Sequence, residues 1–161
     1  MAVRSRVFKS HRFFEGIGPN GTLKYASGSE IEFTWRAAKA GHKCWHSRSS
    51  VVGHLIRAHQ LRPEWLLQRA YNKARGRRRV HKNNVKDSKV VPTREQRKFV
   101  ELMSAYDIIC ELFRITFDLT HASLSGSFED TFKAKLRLRT LQGDLVERCR
   151  YIMLQDLASA E

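Results

Sequence analysis

With 161 residues and 42% hydrophobic content, the chain is long enough for one sizeable core, or for two small units that share one. Its 30 Lys and Arg against 16 Asp and Glu give a formal net charge of +14, the balance of a protein that meets polyanions. Three widely spaced cysteines, Cys44, Cys110 and Cys149, argue against a disulfide scaffold, and no apolar run approaches the length needed to cross a bilayer.

A reducing intracellular compartment is therefore expected: cytoplasm or nucleoid, or the nucleus of a eukaryotic or virus-infected cell. The charge is uneven. Up to Lys89 there are 20 basic and 5 acidic residues, and beyond it 10 and 11. This predicts three parts: a basic nucleic-acid-binding unit over 1–80, a basic linker over 81–92, and a near-neutral helical assembly module over 93–161. The expected fold class is α+β.

From Arg6 to Trp35 the pattern predicts β structure. Val7, Phe8, Phe13 and Phe14 precede Pro19-Asn20-Gly21, a turn signal, and Ile31, Phe33 and Trp35 alternate with Glu32 and Thr34 as on a half-buried strand. A small N-terminal hairpin or sheet follows, packed on short helices because so few strands are marginal alone. Arg36 to Gly41 reads as a helical turn.

Ser49 and Ser50 are N-cap candidates for a helix Val51 to His59. After the break Gln60-Leu61-Arg62, Pro63 stands where proline is tolerated, at the first position of a second helix to about Ala74, closed by Gly76. The run from Leu55 to Leu66, LIRAHQLRPEWL, resembles the helix-turn-helix of Cro/repressor-like bacterial regulators, in which a proline, an acidic residue, an aromatic and a leucine often open the second helix. The resemblance covers residues 51–75. Ile56 stands where that family prefers a small residue, Gln60 replaces the turn glycine, and Arg69 falls at an apolar position. It implies a recognition helix seated in a major groove.

At about 100° per residue, Leu66, Leu67, Ala70, Tyr71 and Ala74 share one face of that second helix. Gln68 and Asn72 on the other are suited to adenine edges, with Arg69 and Lys73 on guanine or phosphate. Trp65 either stacks on an unpaired base or packs under the N-terminal sheet. The basic residues Arg57, Arg62, Arg75, Arg77, Arg78, Arg79, Lys82, Lys86 and Lys89 complete the expected phosphate-binding surface. From Gly76 to Pro92 the chain lacks apolar periodicity and reads as linker.

Thr93 to Gln96 forms a capping-box pattern that should start a long helix to about Thr120. That helix carries two apolar stripes: Phe99, Leu102, Met103, Tyr106, Ile109, Cys110, Phe113 and Phe117 on one, and Ile108, Leu112, Ile115 and Leu119 on the other. Ser127 with Asp130 marks the start of a second helix, whose pattern allows an interruption near Gly143. A two-helix hairpin cannot bury both stripes, so self-assembly or a protein partner is expected.

Two other chemistries have local support. His54 and His59 have the spacing of the helical histidine pair of a Cys₂His₂ finger, and Cys44 with His46 or His42 would complete a zinc tetrahedron. The upstream Cys-x-x-Cys is missing, so no cofactor is expected on balance. Arg114 and His121 are spaced similarly to the Arg…His motif of HEPN-type ribonucleases, which would use the histidine for proton transfer. The leading expectation is a small, non-enzymatic DNA-binding regulator or accessory factor that oligomerises through its C-terminal helices. An RNA-binding subunit of a ribonucleoprotein is the alternative, and a ribonuclease stands third.

Overall fold

The computed structural model describes residues 2–86 and 94–158. Among them no residue lies in a strand. The elements are α1 (Ser5–Ser10), α2 (Ser29–Lys39), a 3-10 turn (Ala58–Leu61), α3 (Pro63–Lys86), α4 (Arg94–Ser125) and α5 (Phe128–Ala158). The expected α+β class and its N-terminal hairpin are thus corrected to an all-helical arrangement.

The segment read as a strand is the first half of α2. Alternation over Ile31, Phe33 and Trp35 is only five residues long, and the longer period decides. Phe33 and Ala37 are buried four residues apart, whereas Ile31 and Trp35 are exposed. Glu32 pairs with Arg36 one turn on, at 2.8 Å. Phe33 meets Phe8 and Phe13 with ring centroids 5.3 and 4.8 Å away, and Val7 from α1 closes this small cluster. Pro19-Asn20-Gly21 does turn the chain, with Asn20 Oδ1 accepting from the Thr22 amide at 3.1 Å, but it joins no strands.

The helix expected over Val51 to His59 does not form before Ala58. Val51 and Val52 are β-branched, Gly53 follows, and Val51, Val52, Leu55 and Ile56 are exposed. A short segment of weak formers with nothing to pack on has no reason to become helical. The second helix does begin at Pro63, but Gly76 does not end it. α3 continues to Lys86, so the first half of the expected 81–92 linker is helical. Gly76 is there for contact: a Cβ at that position would collide with the Ser27 backbone carbonyl.

The N-terminal segment is held on α3 by polar bonds to its backbone. Gln68 and Asn72 both donate to the Leu23 carbonyl, at 3.1 and 2.9 Å. Arg75 donates to the Lys24 carbonyl and Arg79 to that of Gly16. The Ser27 amide donates to the Asn72 carbonyl at 3.1 Å. These bonds satisfy carbonyls that a sheet would otherwise have occupied.

α4 and α5 form a helical hairpin, as their patterns imply. The turn uses Gly126 at φ 66, and the Ser127 hydroxyl accepts from the Asp130 amide at 3.2 Å, the N-cap bond its position demands. The capping-box residue Thr93 lies outside the described residues. α5 packs against both α4 and α3 and is unbroken at Gly143. The glycine lets α3 and α5 close together, because a Cβ there would stand 2.5 Å from the Tyr71 carbonyl oxygen and 3.0 Å from the Ala74 Cβ.

The two stripes of α4 have unequal fates. Ile115 and Ala122 are buried toward α5, while Tyr106, Ile109, Phe113, Phe117 and Leu124 are exposed. Among the described residues, Ile115 of the narrower line packs while Leu112 is exposed, and Tyr106, Ile109, Phe113 and Phe117 of the aromatic line face outward.

Candidate nucleic-acid interface

The cations of α3 divide into two rows. Arg75, Arg78, Arg79 and Lys82 face α5. Glu147, on α5, receives Arg75 Nε at 2.7 Å and Arg79 Nε at 2.8 Å, and its side chain is only 5% exposed. Burial alone would push its carboxyl pKa up, but the hydrogen bonds from Arg79 and Arg75 outweigh that and hold it below the ordinary value. Arg78 lies 3.8 Å from Asp144. Burial lowers the Arg78 pKa against the pull of that carboxylate, though a guanidinium stays charged at any ordinary pH. Lys82 Nζ sits 3.0 Å from the centre of the Tyr151 ring. Four of the residues expected on phosphate therefore join α3 to α5.

The second row, Arg69, Lys73, Arg77 and His81, repeats every fourth residue and is exposed along its length. At 1.5 Å rise per residue, this places one basic side chain about every 6 Å. Arg69 lies over the Trp65 ring at 5.1 Å, and Trp65 is half-buried. Lys73 and Arg77 have no carboxylate within ion-pair distance among the described residues. Arg57 and Arg62, flanking the 3-10 turn, are also exposed. Lys86 ends α3, its side chain lying outside those described, as does Lys89 altogether.

Gln68 and Asn72, the expected base readers, are committed elsewhere. Besides sharing the Leu23 carbonyl they bond to each other at 3.0 Å, and Asn72 is 5% exposed. A side chain in that state has no amide edge left for a base.

Beside the outward row runs a cleft of about 670 Å³ between α2 and α3. Arg69, Lys73, Arg77 and His81 line one wall, and Trp35, Ile31 and Glu30 the other, with Tyr25 from the preceding loop also reaching it. The sequence pattern places Trp35 on the buried face of a strand, and it gives neither Trp35 nor His81 as a contact. The four-residue repeat of the basic row was visible in the sequence; the opposite wall required knowing that 29–39 is a helix.

The other candidate chemistries are not assembled. Cys44, His46 and His54 are exposed along the irregular segment before the 3-10 turn, and His59 is exposed within that turn. His42 instead meets His11, ring centroids 5.2 Å apart. Among the described residues, no three His, Cys, Asp or Glu side chains gather in a metal-holding group. Arg114 lies 3.8 Å from Glu111, and His121 stacks on Phe117 at 6.4 Å. Nor is any described helix long and apolar enough to cross a membrane. Comparison of the chain with protein-family models, with curated proteins and with solved structures finds no match.

Proposed function

We propose that this protein binds nucleic acid along the outward row of α3 and assembles with itself through α4. The reading is of a binding protein rather than an enzyme. The observation that carries it is the set of exposed cations Arg69, Lys73 and Arg77 at one-turn spacing, which neighbouring carboxylates leave available while Arg75, Arg78 and Arg79 of the inner row are engaged by Glu147 and Asp144. Such a row suits a phosphate backbone. Between a duplex-DNA regulator and an RNA-binding subunit, the commitment of Gln68 and Asn72 to Leu23 favours the latter, because a helix whose amides are occupied reads base edges poorly.

The test is salt dependence with and without the row. Three phosphate contacts should cost roughly 40-fold in duplex affinity between 50 and 200 mM salt. Arg69→Ala, Lys73→Ala and Arg77→Ala should each lower the logarithmic slope by about one. A flat profile, or an unchanged slope in the triple variant, would remove this reading.

Self-assembly is supported by the open face of α4. Phe113, Phe117 and Tyr106 are 73%, 69% and 62% exposed, and with Ile109 and Leu124 they fall within about 80° of the helix. Aromatic side chains carry about 150–250 Å² each, so the stripe offers roughly 600–800 Å². That matches the share, about 800 Å², that one partner gives to a standard interface. The near-neutral C-terminal part lets two copies approach without setting their polycationic parts against each other.

A further inference from the structure

We propose that the cleft between α2 and α3 takes a single-stranded nucleic acid, with an unpaired base stacked on Trp35 and the adjoining phosphates on Arg69, Lys73 and Arg77. This deepens the reading of α3 as the nucleic-acid face and rests on it. The two walls carry complementary chemistry. Trp35 is 52% exposed and has no ring or cation contact among the described residues, although an indole is among the side chains that gain most from cover. The facing wall is basic along its length.

A duplex cannot use both walls, since its bases are already stacked and paired and present only edges. A single strand offers a π-face to the indole and, on its other side, a flexible charged backbone, the pairing that single-strand binders exploit. The one-turn spacing of the cations is on the scale of the repeat of an extended nucleotide backbone. The volume, about 670 Å³, lies within the range of ligand clefts, about 300–1,000 Å³, and suits a nucleotide or two better than a double helix.

Glu30 sets the orientation. It lines the Trp35 wall, and its negative charge disfavours phosphate on that side, so the backbone is confined to the α3 side and the base to the α2 side. Tyr25, half-buried in the same cleft, stands where a neighbouring base could meet a second ring. Stacking recognises any base, so the site selects for strandedness and not for sequence.

The test uses the full chain and fluorescently labelled oligo(dT), oligo(rU) and a duplex of equal length, read by anisotropy. Trp35→Ala should weaken both single strands by about 5- to 100-fold with a much smaller change for the duplex, and Trp35→Phe should restore most of the loss because a ring is kept. A preference for oligo(rU) would identify the ligand as RNA and one for oligo(dT) as DNA; either supports the site. Equal effects of Trp35→Ala on single strands and duplex, or none, would overturn it, as would wild-type protein that binds duplex alone. Those outcomes leave the α3 reading standing. Wild-type protein that binds none of the three probes would remove that reading and the cleft together. Circular dichroism of both variants guards against loss of fold, and the Phe variant retains the discrimination if the Ala variant is impaired.

Discussion

Glu147 shows how far one carboxylate can redirect the meaning of a charge run. Arg75 and Arg79 look in sequence like their neighbours Arg77 and Lys73, yet they differ by which side of α3 they project from. The two guanidiniums are mostly buried, at 13% and 17% exposure, so truncating their acid would leave charges without a partner in a poorly solvated seam. Glu147→Ala should therefore cost about 3–5 kcal/mol, measured by denaturant unfolding. The pH dependence has a definite sign. Because the folded carboxyl titrates below its ordinary value of 4.5, its contribution is fully present above that value and is lost as pH falls through the lower folded value. The melting temperature of the wild type should drop in that acid range more steeply than that of Glu147→Gln, which no longer titrates there. Equal slopes would mean that the seam is not an ionic one.

Among the elements, legibility followed the length of the pattern. α4 and α5 are long, carry sustained apolar spacing, and were readable together with their Ser127 cap; Pro63 marked the start of α3. The N-terminal part was not readable, for a physical reason. Its carbonyls at Gly16, Leu23 and Lys24 are satisfied by side chains on α3, about fifty or sixty residues away, and nothing local announces such bonds. In α2, five alternating residues fit a strand as well as a helix, and only the burial of Phe33 with Ala37 separates them. Gly76 misled because a glycine that ends a helix and one that lets another backbone approach look alike in sequence. The candidate site was half legible: the basic row is a spacing, while the Trp35 wall depends on the fold.

The element with the clearest unmet demand is α4. Full-length protein should sediment as a dimer at tens of micromolar, and Phe113→Asp with Phe117→Asp should give a monomer of unchanged helical content. Both positions face away from α5, so the substitutions remove cover and not core. A wild-type monomer would rule out self-association and leave the stripe to a different protein.

At the scale of the whole molecule, the chain exposes 13357 Å², where a compact monomer of its 18.7 kDa mass would show roughly 8,300 Å². Part of that excess belongs to the exposed aromatic line of α4 and to the irregular segment before the 3-10 turn. The irregular stretch between α2 and the 3-10 turn is open to proteolysis. Lys43, Arg48 and Arg57 are exposed there, and between His42 and Arg57 the Val51 amide to Ser49 carbonyl bond is the backbone bond formed, so a protease meets little resistance. Brief trypsin treatment should cut at these residues before any in α3 or α5. Yet the segment before the cut is fastened to α3 by the Gly16, Leu23, Lys24 and Ser27 backbone bonds, each of which bridges the two sides of the nick and is left intact by it. The two fragments should therefore travel together on a native sizing column and part only in denaturant, the N-terminal piece behaving as a peptide bound in trans to a helical receptor.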